Sequence, residues 1–173
     1  MSTATQWRNR ITRTGMAPLA EIQFNARNWR IHPKAQQDAL AGVLSEVGVV
    51  QHVIINERSG NLVDGHLRVT LADRNGEPAV PAVWVDLSDE EEALILATLD
   101  PISAMAATDR EQLSALLAEV STGDAAVAAM LDQLAQDAGV VTPPDSFAEY
   151  GDDLETQFKC PSCSYEWSGK PKS

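Results

Sequence analysis

A short strand that stops at one glycine and turns at once into a helix is the part of the sequence best suited to bind an anion. Residues 62–68 read Leu-Val-Asp-Gly-His-Leu-Arg, and a helix is predicted over 66–74. The free N–H groups of a first helical turn and the positive end of the helix dipole favour negative charge. Gly65 lets the backbone approach a phosphate, while His66 and Arg68 add side chains able to carry positive charge. Because an arginine can hold two phosphate oxygens at once, the stretch predicts a phosphate site.

Two carboxylates are candidates for acid–base or metal chemistry beside that site. Asp64 directly precedes the glycine, where it is placed to orient an incoming hydroxyl or to share a metal ion, and Glu57 lies in the preceding turn. Nuclease activity would need a metal held by Asp64 and Glu57, with Asp86 as a further candidate. The structural alternative is that Asp64 only caps the helix and that Arg68 pairs with an acid elsewhere.

The second candidate site is a Cys-Pro-Ser-Cys turn, which contains Cys160 and Cys163 and is followed by an aromatic segment. This spacing resembles one knuckle of a zinc ribbon and directs two thiolates at one ion, but structural zinc takes four ligands. The other two must come from a second chain, a partner or a distant histidine. A reduced thiol pair without metal is the alternative. One cysteine pair excludes a disulfide framework.

Hydrophobic periodicity and turn residues predict the elements that position these groups. Ser88 and Glu91 form a capping box, which predicts the start of the last helix of the domain, and Asp100-Pro101 is predicted to end it. The predicted elements are a helix over 34–47, strands over 49–56 and from 62, a helix over 66–74, a strand over 79–87 and a helix over 89–99. This order predicts an α+β domain rather than a regular βαβ array.

Composition shifts along the 173 residues predict five segments. They are a flexible basic arm (1–17), the α+β domain (18–100), an acidic helical extension (101–139), a linker (140–157) and a zinc-knuckle-like tail (158–173). Within the extension, helices are predicted at about 109–120 and 124–138.

The charge distribution limits the partners that this protein can have. The net charge is −12, and residues 89–156 hold sixteen acids and a single base, Arg110. Such a surface does not coat DNA, because phosphate binding needs clustered cations. A local phosphate site in the basic N-terminal third is compatible with it. The sequence has neither a long apolar run nor a signal-peptide pattern, which predicts a cytoplasmic protein.

Four blocks of sequence together resemble the N-terminal domain shared by ParB partition proteins and sulfiredoxins. They are Asn-Ala-Arg-Asn-Trp-Arg at 25–30, Glu-Val-Gly-Val-Val-Gln-His-Val-Ile-Ile at 46–55, Asp-Gly-His-Leu-Arg-Val-Thr-Leu-Ala at 64–72 and Val-Pro-Ala-Val at 80–83. The likeness covers about 75 residues. The form of the third block, with the segments that follow it, is similar to phage and prophage members found beside DNA methyltransferases.

The resemblance implies a small mixed sheet with packed helices and a nucleotide-phosphate site. In this sequence the site residues would be Gly65, His66 and Arg68, with Arg30 and Gln51 at the border, and the ligand would be CTP or ATP with Mg²⁺. His66 stands where sulfiredoxins have their nucleophilic cysteine, which excludes sulfinate reduction. Leu67 replaces the first arginine of the ParB box and removes one phosphate ligand. A basic helix-turn-helix after residue 100 is lacking, in contrast to true ParB.

Two functional hypotheses follow. The first is a ParB-like phage or mobile-element protein in a bacterial cell that binds a nucleotide or a nucleic-acid phosphate and acts in DNA transactions, as a homodimer and with nuclease or phosphoryl-transfer activity. Its DNA contact would be direct or through a partner protein. The second is a non-enzymatic adaptor whose acidic helices and knuckle recruit a DNA-modifying partner such as a methyltransferase.

Overall fold

The computed structural model describes residues 6–140 and 158–167. The chain divides into two compact units, residues 1–141 and 142–173. The first unit contains the sheet and all five helices of the described residues, and the second contains a short hairpin.

A four-stranded mixed sheet positions the candidate site. Its strands are β1 (Ile11–Pro18), β2 (Val53–Asn56), β3 (Leu62–Asp64) and β4 (Ala79–Val85). Across the sheet the order is β1-β4-β2-β3, with β4 antiparallel to β1 and parallel to β2, and with β2 antiparallel to β3. Together with the helices, this sheet confirms the predicted α+β class.

Five helices surround the sheet. They are α1 (Lys34–Glu46), α2 (His66–Arg74), α3 (Asp89–Ala104), α4 (Arg110–Glu119) and α5 (Ala125–Ala138). The predicted capping box at the start of α3 is present, because the Ser88 hydroxyl accepts from the Glu91 amide while the Glu91 carboxylate accepts from the Ser88 amide. Asp109 and Asp124 are the N-caps of α4 and α5, and each side chain accepts hydrogen bonds from two amides of the first turn.

The core lies between the sheet and α2. Its buried apolar residues are Ala17, Val53, Ile55, Leu62, Val69, Val80, Ala82 and Trp84. Alternation along β4 turns every second side chain inward, as expected for a strand with one buried face. Fully burying a side chain of the size of Leu62 contributes about 1.5–3 kcal/mol to the free energy of unfolding.

The acidic helices pack onto the domain through a glycine. Gly42 of α1 faces the start of α5, where an added Cβ would lie 2.5 Å from Cγ of Asp124 and 2.7 Å from Cγ2 of Val127. Only glycine permits this approach of the two helices. The Glu46 carboxylate also accepts hydrogen bonds from the amides of Gly123 and Asp124, at 2.8 and 3.0 Å.

Three sequence predictions about the elements are wrong. Residues 11–17, predicted as part of a flexible arm, form most of β1, which is held by antiparallel pairing with the distant β4. Residues 49–52 precede β2 instead of belonging to it. Helix α3 continues through Pro101 to Ala104, because a proline costs a helix one hydrogen bond without always ending it.

The second unit is a hairpin of two short antiparallel strands, β5 (Phe158–Lys159) and β6 (Glu166–Trp167). The Trp167 ring stacks between the Phe158 ring, at a centroid distance of 5.7 Å, and the Tyr165 ring, at 6.3 Å. Apart from Val140, the predicted linker 140–157 lies outside the described residues, as does the end of the tail from 168 to 173.

Within residues 6–140 and 158–167, every helix falls short of the length or the hydropathy that a bilayer span requires.

Candidate phosphate-binding site

Gly65 forms the junction between β3 and α2 in a backbone conformation that favours glycine. Its φ is 96°, in the left-handed region, and it is the N-cap residue of α2. A Cβ at this position would lie 2.6 Å from Cγ1 of Val53, which belongs to the buried core. Both the dihedral angle and the close approach to β2 therefore require glycine. No side-chain hydrogen bond caps the helix, so Asp64 does not serve as the cap.

Arg68 lies in the first turn of α2, and its side chain is hydrogen-bonded to β3 and to the segment before β2. Its guanidinium donates to Oδ2 of Asp64 at 2.7 Å, to Oε1 of Gln51 at 2.8 Å and to the carbonyl of His52 at 3.2 Å. These contacts fix the side chain against the N-terminus of its own helix. The predicted pairing of Arg68 with an acid is thus present, but the acid is Asp64, inside the candidate site.

Arg30 approaches the same site from the segment before α1. Its guanidinium forms an ion pair with Asp100 of α3 and lies 5.4 Å from the centre of the Trp29 ring. The Trp29 indole donates to the carbonyl of Leu96, also in α3, and 58% of the residue is exposed. Asp100 was not predicted as a site residue, because sequence reasoning assigned it to the end of a helix.

His66 is the first residue of α2, and its side chain is buried beside the Phe24 ring at a centroid distance of 5.9 Å. Burial lowers the pKa of His66 below its ordinary value of 6.5, the Asp64 carboxylate raises it, and His32 lowers it further. The ring is therefore neutral in the ligand-free protein near pH 7.

Three residues of this region each have a buried side-chain nitrogen atom without a hydrogen-bond partner. Among the described residues, the buried side-chain N and O atoms that lack a partner are Nε of Arg30, Nε2 of His66 and Nε of Arg68. A buried polar atom without a partner costs about 1–3 kcal/mol, so such atoms are rare and call for a partner such as a water, an ion or a ligand. All three belong to residues that line one cavity of about 190 Å³.

That cavity brings together most of the residues that the sequence analysis selected. Its lining includes Arg30, Asp64, Gly65, His66 and Arg68, together with the unpredicted Asp100. Gln51 lines a second cavity, of about 640 Å³, and reaches the candidate site only through its hydrogen bond to Arg68, which borders both.

Glu57 does not join the site. It follows the opposite end of β2, forms an ion pair of 3.3 Å with Arg13 and lines neither cavity. The further candidate, Asp86, is paired with Arg58. In the described part of the chain, no group of three or more His, Cys, Asp or Glu side chains is placed to hold a metal ion. Asp64 and Asp100 are the carboxylates that the cavity does contain, and Mg²⁺ in nucleotide sites is commonly held by one or two carboxylates plus the phosphates.

The predicted ligands Cys160 and Cys163 lie in the second unit, on the turn between β5 and β6. The amides of Cys163 and Ser162 donate to the sulfur of Cys160, and with the Cys163 side chain they lower the pKa of the Cys160 thiol below its ordinary value.

Glu92 was not predicted as a functional residue, although in the described part of the chain its carboxylate accepts hydrogen bonds from five side chains. This α3 side chain is fully buried. Its oxygens accept hydrogen bonds from Asn25 (2.8 Å), Arg27 (2.7 Å), Asn56 (2.6 Å), Ser59 (2.5 Å) and Asn61 (3.4 Å). Burial alone would raise the pKa of Glu92, but the hydrogen bonds outweigh it and lower the pKa to about 2. Through these hydrogen bonds, Glu92 of α3 connects the segment that leads to Arg30 with the β2–β3 hairpin. It therefore positions the walls of the cavity.

Comparison with solved structures identifies the fold. The chain is similar to the C-terminally truncated chromosome-partitioning protein ParB from Caulobacter crescentus complexed with CTP-gamma-S, with a TM-score of 0.50 and 21% identity over 70% of this chain and 78% of that chain. It is also similar to a Pnob8-like ParB-N domain, with a TM-score of 0.45 and 15% identity over 72% of this chain and 47% of that chain. The sequence matches no protein-family model and no curated protein.

The first unit therefore has a ParB-like fold. The resemblance seen in the four sequence blocks is confirmed at the level of this fold, whose glycine turn and α2 N-terminus form one wall of the cavity that Arg30 and Arg68 line.

Proposed function

We propose that the first unit is a ParB-like nucleotide-binding domain that holds the phosphates of a nucleoside triphosphate at the N-terminus of α2. One observation carries the proposal: Arg30, His66 and Arg68, the three residues with a buried nitrogen atom that lacks a partner among the described residues, all line the 190 Å³ cavity. Two of them are N–H donors of guanidinium groups, and the imidazole nitrogen can donate in the appropriate tautomer. A phosphate supplies the acceptor oxygens that these atoms lack.

The arrangement also explains how Mg²⁺ would fit. Both arginines are already paired with carboxylates, Arg68 with Asp64 and Arg30 with Asp100. An incoming phosphate competes with those carboxylates for the guanidinium groups, unless a divalent cation takes the carboxylates as ligands. Asp64 and Asp100 are therefore the residues that would hold Mg²⁺ together with the phosphate oxygens.

The fold comparison supports the class of ligand. The Caulobacter ParB structure to which this chain is similar is a complex with CTP-gamma-S, a nucleoside triphosphate analogue. The nucleotide proposed here is accordingly CTP or ATP. Turnover of that nucleotide, with Asp64 as a ligand of the metal ion at the reacting phosphate, is the catalytic extension of the proposal. Action on DNA, directly or through a partner and from a homodimer, is its cellular extension.

A thermal-shift panel tests the proposal directly. CTP, ATP, GTP, UTP and a short DNA duplex are each added with and without Mg²⁺ to the full chain. A ligand at 100 times its Kd adds about 2.7 kcal/mol to the free energy of unfolding, which gives a clear rise in melting temperature. We expect one nucleotide to produce that rise, and a flat panel would contradict the proposal.

Variants locate the binding. Arg68→Ala and Arg30→Ala each remove one guanidinium from the cavity and should weaken nucleotide binding by about tenfold or more, measured by calorimetry. The matched control is Arg74→Ala, at the end of the same helix, which removes the same charge but bonds to Gln37 instead of lining the smaller cavity. Equal losses in all three variants would mean that general charge, and not this site, attracts the nucleotide.

A second function is favoured by the surface of the acidic helices. Exposed large apolar side chains lie on α3, α4 and α5, or directly after them, among the acidic residues; they are Leu94, Leu99, Ile102, Met105, Leu116, Val120, Met130 and Leu134. Exposed apolar residues on a charged surface are typical of protein-binding faces. The corresponding proposal is an adaptor that recruits a DNA-modifying enzyme such as a methyltransferase, and a flat nucleotide panel would favour it.

A further inference from the structure

The two cysteines of the second unit lie on the tight turn of its hairpin. The amide of Cys160 donates to the carbonyl of Tyr165 at 2.7 Å, and the amide of Ser164 donates back to the carbonyl of Cys160 at 2.9 Å. Ser164 has a φ of 64°, in the left-handed region that few residues other than glycine adopt. The turn between the cysteines is therefore closed by backbone bonds on both sides.

A metal ion can reach both sulfur ligands of this turn. Cys160 is partly exposed and Cys163 is exposed, so a metal ion can reach both from outside the hairpin.

Within residues 158–167, few other contacts stabilise the hairpin besides the ion pair of Lys159 with Glu166. Each strand has two residues, and an isolated two-stranded hairpin is at best marginally stable in water. The stacked rings of Phe158, Tyr165 and Trp167 add contacts, but 42% of Phe158 and 68% of Tyr165 are exposed. A bound metal supplies folding free energy in small units of this type.

We propose that the Cys160–Cys163 turn is half of a tetrahedral zinc site and that the same turn of a second copy of this chain supplies the other two thiolates. Two thiolates leave a structural zinc ion two ligands short of four. Around a two-fold axis, two copies present identical surfaces and provide four equivalent sulfur ligands. This pairing needs no further ligand type and goes beyond the proposed nucleotide site, which lies in the other unit.

Charge supports the same arrangement. Four thiolates around Zn²⁺ carry a net charge of −2. Residues 158–173 of the sequence contain three lysines and one acid, and Lys159 lies in the hairpin itself, where its Nζ is 2.8 Å from Oε1 of Glu166. On binding, each of the four thiols gives its proton to solvent and forms one Zn–S bond, so the ion remains Zn²⁺ and no redox partner is needed.

A cobalt titration tests ligand type and stoichiometry together. Untagged full-length protein, stripped of metal and kept reduced, is titrated with Co²⁺ and then with Zn²⁺, while light scattering reports the mass. We expect the visible absorption of tetrahedral Co²⁺, sulfur-to-metal charge-transfer intensity corresponding to four thiolates, saturation at one metal per two chains and displacement by Zn²⁺. The mass should double on metal binding and return to its starting value with a chelator.

Variants separate this site from adventitious binding. Cys163→Ser should abolish the charge-transfer band and the metal-dependent dimer, whereas the control Ser162→Ala keeps both thiols in the same turn and should behave like the wild type. Saturation at one metal per chain without dimers, a spectrum of two thiolates, or binding that survives Cys163→Ser would each overturn the proposal. Nucleotide affinity, measured on the same variants, distinguishes its failure from failure of the nucleotide site.

Discussion

Nδ2 of Asn56 donates a 2.6 Å hydrogen bond to Oε2 of Glu92, and both residues have 0% of their surface exposed. The two lie 36 positions apart, at the end of β2 and in the first turn of α3. Because the other Glu92 oxygen accepts from Asn25, one carboxylate connects three distant segments of the chain. Its burial is tolerated only because its lone pairs are satisfied and Arg27 compensates its charge.

Removing this carboxylate should destabilise the first unit strongly. Glu92→Ala leaves Asn25, Asn56 and Ser59 without their shared acceptor and Arg27 without its partner, so we expect a loss of about 3–5 kcal/mol in the free energy of unfolding. Urea denaturation followed by circular dichroism measures it. Glu90→Ala removes an exposed carboxylate from the same helical turn; it is the control and should change stability by less than about 0.5 kcal/mol. Similar losses in both variants would show that α3 propensity, not the buried network, is responsible.

Acid should release the same interaction. The pKa of Glu92 is lowered from 4.5 to about 2, so its stabilising contribution is complete above about pH 5 and is lost as the pH falls towards 2. The shift corresponds to about 3 kcal/mol. We expect the stability difference between the wild type and Glu92→Gln to shrink by that order between pH 6 and pH 2. A difference that stays constant over this range would contradict the assignment.

Gly65→Ala should cost more than a positive φ alone explains. The new Cβ would meet Val53 at 2.6 Å in addition to adopting a φ of 96°. Gly76→Ala is a close control, because Gly76 has a φ of 77° with nothing within 4 Å of its Cβ position. Left-handed strain costs about 1–3 kcal/mol, so thermal unfolding should show that loss for Gly76→Ala and a larger one for Gly65→Ala. Equal losses would mean that β2 moves to make room.

Anion binding should depend on the protonation of His66. Burial lowers its pKa in the ligand-free protein, whereas a phosphate beside the ring favours the protonated form and raises it. Nucleotide affinity should therefore increase as the pH falls through and below 6.5, while the unliganded protein loses stability over the same interval. Calorimetry from pH 5.5 to 8 measures the affinity. His66→Gln, assayed with the same nucleotide so that the ligand's own titration cancels, should remove this dependence on pH.

Asp100→Asn should change nucleotide affinity in opposite directions with and without Mg²⁺. In the absence of the cation, the substitution frees Arg30 from its ion pair and removes a negative charge from the cavity, so binding tightens. If Asp100 holds Mg²⁺ with the phosphates, the same variant binds the Mg²⁺ complex more weakly than the wild type does. Calorimetry with and without Mg²⁺ decides this, and a tighter complex under both conditions would remove Asp100 from the metal site.

Local signals in the sequence predicted the glycine turn and the helices beside it. Gly65 and the Asn75-Gly76 pair limit α2 at both ends, and Ser88 with Glu91 forms the capping box of α3. These features act within a few residues, which is why they can be recognised from sequence. Strand β1 was missed because its stability comes from pairing with β4 about 70 positions away.

The same distinction applies to the candidate site. Asp64, Gly65, His66 and Arg68 are consecutive or nearly so, and their convergence was predictable from the turn. Asp100 and Glu92 belong to α3 and become neighbours of the site only when that helix packs on the sheet. Glu57 was wrongly expected beside Asp64. The two residues are close in sequence across the β2–β3 turn, but Asp64 pairs with Ile54 near the start of β2, whereas Glu57 follows the end of that strand.

Strand β1 also affects how this protein behaves at high concentration. It is an outermost strand of the sheet and pairs with β4 on one side, and among the described residues no strand pairs with its other edge, where another chain could add a strand. Three features interrupt that edge along its length. They are the register shift between Ile11 and Arg13, the charge of Arg13 and the missing amide proton of Pro18. Aggregation through continuous sheet extension is thereby opposed by residues of the strand itself.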